Sequence, residues 1–322
     1  HSNPAPAAYP HPGSSNFPNL NHRSSRYHMH SFFKHWLAAG AIAALALPTW
    51  AADATLAKIQ SSGQLTIGYR LDAAPLSYAG EGGKPVGYAV ELCQQLAARI
   101  QSQLKLPALQ LHYVPVTIAE RFDRIADGKI QLECADSTNT KARRERVAFG
   151  LTYYYAGARM LVRANDTRQQ LAQMGQARVA VINGSTGQQV SERQPGLTLV
   201  TVASTEEGAK AVAQGRADAF VSDDISLIDQ ARMLKGAVKV VGPRMSVEPL
   251  APIVPKNAPD FQHLVAQAMK DMYRDGTARQ IYKKWFEQPL PGRGYSLDLP
   301  PDMLLNDTFR RPDGFVTDWT VL

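Results

Sequence analysis

Between Glu133 and Gly150 the chain reads ECADSTNTKARRERVAFG. An apolar stretch ends there, Asp136, Ser137, Thr138, Asn139 and Thr140 follow, and a basic turn comes next with Lys141, Arg143, Arg144 and Arg146. Aligned donors, an acceptor and a cation in so short a space suit a small ligand that carries both charges. Polar residues recur at corresponding places elsewhere. Arg70 closes the apolar run Leu65–Tyr69, Asn183-Gly184-Ser185-Thr186 closes Val179–Ile182, and Asp223-Asp224 closes Ala217–Ser222. Arg121 lies on the Ile118, Phe122, Ile125 stripe, where a cation is rarely placed without a partner. It either runs its stem out to the rim or turns its guanidinium into a cleft.

Catalytic sets are not supported. Ser137 has no evident histidine partner, because six of the eight histidines lie at or before His35, and His112 and His263 fall in a strand and a helix pattern. INGSTG (Ile182–Gly187) lacks the lysine and the length of a phosphate loop; as a helix N-terminus it suits a carboxylate. The two cysteines, Cys93 and Cys134, have no neighbouring ligands of the kind a zinc site needs. They are either a disulfide, which export permits and which is the favoured reading, or two buried thiols. No metal and no cofactor is expected.

The elements that must position these residues alternate. Leu65–Tyr69, Leu109–Val114 and Ile130–Ala135 read as strands, with helical stripes between them (Val90, Cys93, Ala97, Ile100; then Ile118, Phe122, Ile125). The alternation restarts with strands at Val179–Ile182, Leu197–Val202, Ala217–Ser222 and Val238–Val241, and helices from near Thr186, over Thr205–Gln214 and over Ile225–Leu234. Strand–helix alternation implies parallel sheets with helices on their faces, whose ligands bind beyond the carboxyl ends of the strands. Two such α/β units, followed by a stripe from Phe261 to Tyr273 and a helix over Thr277–Phe286, predict a chain that returns to its first unit. Two connections, near Tyr155–Val162 and Leu250–Val254, would then form a hinge.

Composition supports a globular, exported chain. Of 322 residues, 44% are hydrophobic and 20% charged, ordinary values for a folded domain. Met29–His35 is short and basic, Trp36–Leu47 is apolar, and Thr49-Trp50-Ala51 ends with small residues, the layout of a cleavable export signal. Residues 1–28 are rich in Pro, Ser, Asn and His and read as a disordered leader, from a misread start or an added segment. Without residues 1–51 the formal charge falls from +7 to +4. No basic run is interleaved with aromatics, so nucleic acid is not expected as a partner.

Four stretches, LTIGYRLDAAPLSY, GKPVGYAVELCQQL, YVPVTIAERFDRIADGKIQLECADSTNTKARRERVAF and AFVSDDISL, come in this order. Together they resemble the periplasmic amino-acid-binding proteins of ABC importers, with the glutamate/aspartate-binding branch nearest. The resemblance runs from about Thr55 into the tail. It implies a two-lobed, hinge-closing periplasmic-binding-protein (type II) fold of class α/β, each lobe a sheet flanked by helices, with two crossover hinge strands. The implied parts are 52–158 for lobe 1, 159–250 for lobe 2, and 251–322 for the return to lobe 1 and the tail. The implied partners are an amino acid and a membrane-embedded ABC permease, and the implied state is a periplasmic monomer.

By the same resemblance the ligand's α-carboxylate meets Arg143, Thr138 and the Ser185–Thr186 turn. Its ammonium meets the Asp136 carbonyl and Asp223, and Arg70 with Arg121 receives a side-chain carboxylate. Asp136 and Ile118 stand where serines are usual, and Thr205 where a histidine is, so the side-chain pocket departs from the branch. Two other classes compete. One is a periplasmic cyclic-amino-acid dehydratase on the same fold, with Glu133 or Asp136 as general acid. The other is a binding protein that presents its ligand to a chemosensory receptor.

Overall fold

A computed structural model describes residues 53–312 and the backbone of residues 320–321. The expected leader and export signal, residues 1–51, lie outside them. Among the described residues no helix is long and apolar enough to cross a membrane.

The chain opens with α1 (Ala54–Ser62) and β1 (Gln64–Tyr69), then a small meander of β2 (Asp72–Ala73), β3 (Ser77–Ala79) and β4 (Pro85–Val86). Next come α2 (Tyr88–Gln103), β5 (Gln110–Pro115), α3 (Arg121–Ala126), β6 (Leu132–Glu133), α4 (Lys141–Arg144) and β7 (Val147–Phe149). After β8 (Tyr154–Ala156) a second series runs β9 (Ala158–Arg163), β10 (Arg178–Ile182), α5 (Thr186–Glu192), β11 (Thr198–Val202), α6 (Thr205–Ala213), β12 (Ala219–Asp223), α7 (Asp224–Met233) and β13 (Val238–Val241). The chain then passes through β14 (Ser246–Leu250) and β15 (Ile253–Pro255) into α8 (Pro259–Arg274), α9 (Thr277–Phe286) and α10 (Met303–Arg310), and β16 (Thr320–Val321) pairs with β14.

Two five-stranded sheets result, ordered β5-β1-β6-β15-β7 and β11-β10-β12-β9-β13. Strand residues of the second sheet alternate between two cores. Val179, Val181, Ala219 and Val221 enter one, while Ala180, Ile182 and Phe220 enter the other. That period of two is why these strands read as unbroken apolar runs: both faces are covered. In the first sheet the α2 stripe Tyr88, Leu92, Leu96 and Ile100 packs with Phe261, Val265 and Met269 of α8 and with Tyr282, Trp285 and Phe286 of α9. Each such buried side chain contributes roughly 1.5–3 kcal/mol. Asp53 fastens the two ends of this lobe. One carboxylate oxygen accepts from the backbone N–H of Thr55 and Leu56, and the other from Phe261 N–H at 2.9 Å.

The sheets are mixed, where alternation alone predicts parallel. β1 is parallel to β5 and β6, and β10 to β11 and β12, but β9 and β15 run against their neighbours. Both follow a crossing between lobes. β9 begins opposite Asp223, the last residue of β12, and β15 begins opposite Glu133, the last residue of β6. A chain that enters a sheet at the edge where the other strands end must run opposite to them.

The crossing strands β8 and β14 pair antiparallel, Tyr154 opposite Leu250 and Ala156 opposite Glu248. The return crossing therefore starts earlier than the apolar run Leu250–Val254 suggests. β6 is also shorter than the expected Ile130–Ala135; ahead of its start the side-chain oxygen of Gln131 accepts the Thr66 N–H. Ile118 precedes α3 rather than lying on it, and it packs into a core cluster of the second sheet.

Candidate functional site

The loop after β6 is buried from Asp136 to Thr140. Hinge backbone holds it there: Ala251 N–H donates to the Ser137 carbonyl at 3.1 Å and Asn139 N–H to the Pro249 carbonyl at 2.8 Å. Ser137 Oγ donates to the Glu133 carboxylate, at 2.8 and 3.0 Å from its two oxygens. This hydroxyl holds a buried acid in place. Burial lifts that carboxyl to about 7, against the pull of the Arg121 guanidinium.

At one end of the cleft stand Arg143, Thr138, Thr186 and Asp223. Thr140 caps α4 by accepting from Arg143 N–H at 3.2 Å. The Arg143 guanidinium donates to the Thr138 carbonyl at 2.9 Å and, across to the second lobe, to the Gly184 carbonyl at 3.1 Å. It makes no ion pair among the described residues. Burial brings it down to about 10, and the neighbouring Arg121 guanidinium pushes the same way. Gly184 sits at φ 75°, a left-handed turn that glycine adopts without strain. The turn delivers Ser185, whose Oγ accepts from Gln188 N–H at 3.0 Å as the cap of α5. The hydroxyls of Thr138 and Thr186 both donate to one oxygen of Glu248, at 2.8 and 2.6 Å, and Ser246 donates to the other at 2.5 Å.

Asp223 ends β12 and makes no side-chain hydrogen bond or ion pair among the described residues. Burial raises its carboxyl well above the usual range, and the carboxylates of Glu248, Asp136 and Asp224 add to the rise.

The other end holds Arg70, Arg121, Asp72 and Asp136. Asp136 lies between the two arginines: Arg121 Nη1 donates to Oδ1 at 2.7 Å, and Arg70 Nη1 to Oδ2 at 3.4 Å. Arg70 Nη2 donates to Asp72 at 2.6 Å, and Arg121 Nη1 lies 3.5 Å from Glu133. Burial alone would raise the Asp136 carboxyl; the Arg70 and Arg121 charges outweigh it and hold it below the usual range. Asp72 also reaches across the cleft, its second oxygen accepting from Thr205 N–H at 2.6 Å. A single ring joins the two ends: the guanidinium carbons of Arg121 and Arg143 each lie 5.1 Å from the centre of Phe122.

All eight residues singled out in the sequence therefore lie at the carboxyl edges of the two sheets, and one of them makes side-chain contacts that were not expected. Asp136, expected to offer its carbonyl, offers its carboxylate to Arg70 and Arg121. Arg121 resolves to the inward reading, 2% exposed and paired. Cys93 and Cys134 are joined by a disulfide. Sequence reasoning missed Asp72 and Glu248. Glu248 did leave a signal, a single acid inside SVEPLAPIV. Among the described residues no group of three His, Cys, Asp or Glu side chains is placed to hold a metal.

Comparison with known proteins agrees with this architecture. Residues 65–288 match the family described as bacterial extracellular solute-binding proteins, family 3. The L-glutamate/L-aspartate-binding protein of Pseudomonas aeruginosa is 30% identical over 254 residues, 76% of this chain and 84% of its own. The glutamate/aspartate import solute-binding protein of Escherichia coli is 25% identical over 270 residues, 82% of this chain and 89% of its own. Among solved structures, an ancestral arginine-binding protein bound to glutamine superposes with a TM-score of 0.65 at 27% identity, covering 70% of this chain and 99% of that one.

Proposed function

The chain belongs to family 3 of the bacterial extracellular solute-binding proteins, and from that premise we propose that it closes on one α-amino acid and delivers it to an ABC permease. Its named relatives are binding proteins, and it is a solute-binding protein rather than an enzyme. Membership implies an exported protein; the periplasm, the signal at 29–51, the monomeric state and the lobe limits 52–158, 159–250 and 251–322 belong to the proposal.

One observation supports the reading above the others. Arg143 in the first lobe and Asp223 in the second are buried groups able to carry opposite charges, and neither has an ion-pair partner among the described residues. A zwitterion leaving water needs both. Its carboxylate takes the Arg143 fork, with Thr138 and the Ser185–Thr186 turn beside it, and its ammonium takes Asp223 and the Asp136 carbonyl. Hydrogen bonds to charged groups contribute about 1.5–3 kcal/mol each. Because the two charges sit on different lobes, only the closed form satisfies both, so ligand shifts the hinge toward closure.

Glutamate or aspartate is the ligand that the relatives' names support, with Arg70 and Arg121 as receivers of the second carboxylate. The position of Asp136 favours a second reading, an uncharged polar side chain.

The test is calorimetric titration of the ligand-stripped chain with α-amino acids, their decarboxylated amines and their deaminated acids. Heat is expected only from molecules carrying both poles. Equal binding of an amine or an acid alone would remove the zwitterion grip.

A further inference from the structure

The expected receivers of a ligand carboxylate, Arg70 and Arg121, are not free cations. They share the Asp136 carboxylate at 3.4 and 2.7 Å, Arg70 is also held by Asp72 at 2.6 Å, and Glu133 lies 3.5 Å from Arg121. Two guanidinium groups thus face three carboxyl groups. Arg70, Arg121, Glu133 and Asp136 are all buried, and Asp72 is the most exposed of the five at 17%.

We propose that Asp136 is a specificity-determining residue: its carboxylate stands in for the ligand's second carboxylate between Arg70 and Arg121, so the cleft takes α-amino acids with uncharged polar side chains and disfavours glutamate and aspartate. The inference rests on the α-amino-acid reading and names the side-chain class for that same cleft.

The physical reason is charge balance at low solvent access. An anionic side chain brought here meets a set that is already neutral or negative, and like charges juxtaposed at an interface repel with little screening. Asp136 would have to leave its pair or take up a proton, and both arginines oppose the proton. An amide or hydroxyl side chain adds no charge. It can accept from a guanidinium and donate to a carboxylate oxygen. One donor remains to be met in this group, the Nε–H of Arg121, which is buried without an acceptor among the described residues. The headgroup end differs in kind, since Arg143 and Asp223 have no ion-pair partners among the described residues. Selectivity therefore resides in residue 136, and the zwitterion grip is independent of it.

The test is calorimetric titration of the ligand-stripped full chain with glutamine, asparagine, serine, glutamate, aspartate and lysine, repeated on Asp136→Ser and on the near-isosteric Asp136→Asn. The wild-type chain should bind its best uncharged ligand on the order of 100-fold more tightly than glutamate or aspartate. Both variants should reverse that order by freeing the arginine pair. If Asp136→Ser does not fold, Asp136→Asn keeps the volume and carries the comparison. Three results overturn the inference while leaving the amino-acid reading intact: a wild-type preference for an acidic ligand, a preference for lysine over every uncharged ligand, or variants that keep the wild-type order. Absence of heat with every amino acid overturns both.

Discussion

The two ends of the cleft hold similar residues in opposite states. At the end proposed to hold the ligand headgroup Arg143 donates to two backbone carbonyls, and Asp223 has no side-chain partner among the described residues. At the end proposed to hold the ligand side chain Arg70, Arg121, Asp72 and Asp136 pair their charges with one another. A buried charge without a counter-charge is costly and points to a ligand. A buried charge inside a closed network costs little more once the network exists, and it fixes shape and selectivity. Residue type alone makes all three arginines look alike; pairing separates them.

If that contrast is right, the self-paired end should fail as structure and the headgroup end as binding. The largest effect is expected from Arg121→Ala, which leaves the Asp136 and Glu133 carboxyls buried beside a cavity. Breaking a buried pair this way costs about 3–5 kcal/mol, read by urea unfolding. A loss under about 1 kcal/mol would mean that the network is not holding the fold.

Arg143→Ala should leave unfolding less affected and weaken every α-amino acid by about 2–5 kcal/mol, because the ligand carboxylate would be buried without its partner. Calorimetry across several side chains checks this. A loss limited to one side-chain class would move Arg143 to the other end of the cleft.

Glu133 gives the comparison a pH axis. Its folded value is raised to about 7, so the folded state holds a proton that the unfolded state has released. Its contribution to stability is full below the ordinary carboxyl range and is lost as pH rises through about 7, at most about 3 kcal/mol in all. Unfolding free energy measured from pH 4 to 8 should fall along this limb, and Glu133→Gln should flatten it. Identical slopes for the two proteins would contradict the burial of an uncharged Glu133.

Asp223→Asn should cost about 1.5–3 kcal/mol of ligand affinity through the lost charge on the ammonium side. The ligand-free variant should gain on the wild-type chain as pH rises, since the raised Asp223 carboxyl contributes less to stability once it must ionise in place. Parallel thermal melts at low and high pH test both signs together.

The smallest effect belongs to the cross-cleft contact. Asp72→Asn weakens the bond to Thr205 N–H at the start of α6 and should cost about 1 kcal/mol of closure. A several-fold drop in affinity for uncharged ligands is the expected reading, with a smaller drop for acidic ones because Arg70 loses a counter-charge. A change in ligand order instead would assign Asp72 to selectivity.

Much of the fold was legible because its signals are local. Apolar runs bounded by turns marked strands such as Val179–Ile182 and Val238–Val241, and the stripe from Phe261 to Tyr273 marked α8. The antiparallel course of β9 and β15 was not legible, because direction in a sheet depends on which edge the chain enters after a crossing. Glu248 was passed over for a related reason. A lone acid in an apolar strand looks like a surface position until two lobes bring Thr138 and Thr186 to it.

By itself the sequence determined the kinds of group available and the strand ends that carry them: Arg70, Asp136, Thr138, Thr186 and Asp223 all follow apolar runs, and that local pattern survives any arrangement of the lobes. Only the tertiary structure decided which charges cancel. Electrostatic pairing depends on distances of a few ångströms between residues far apart in the chain, and hydrophobic periodicity carries no information about them.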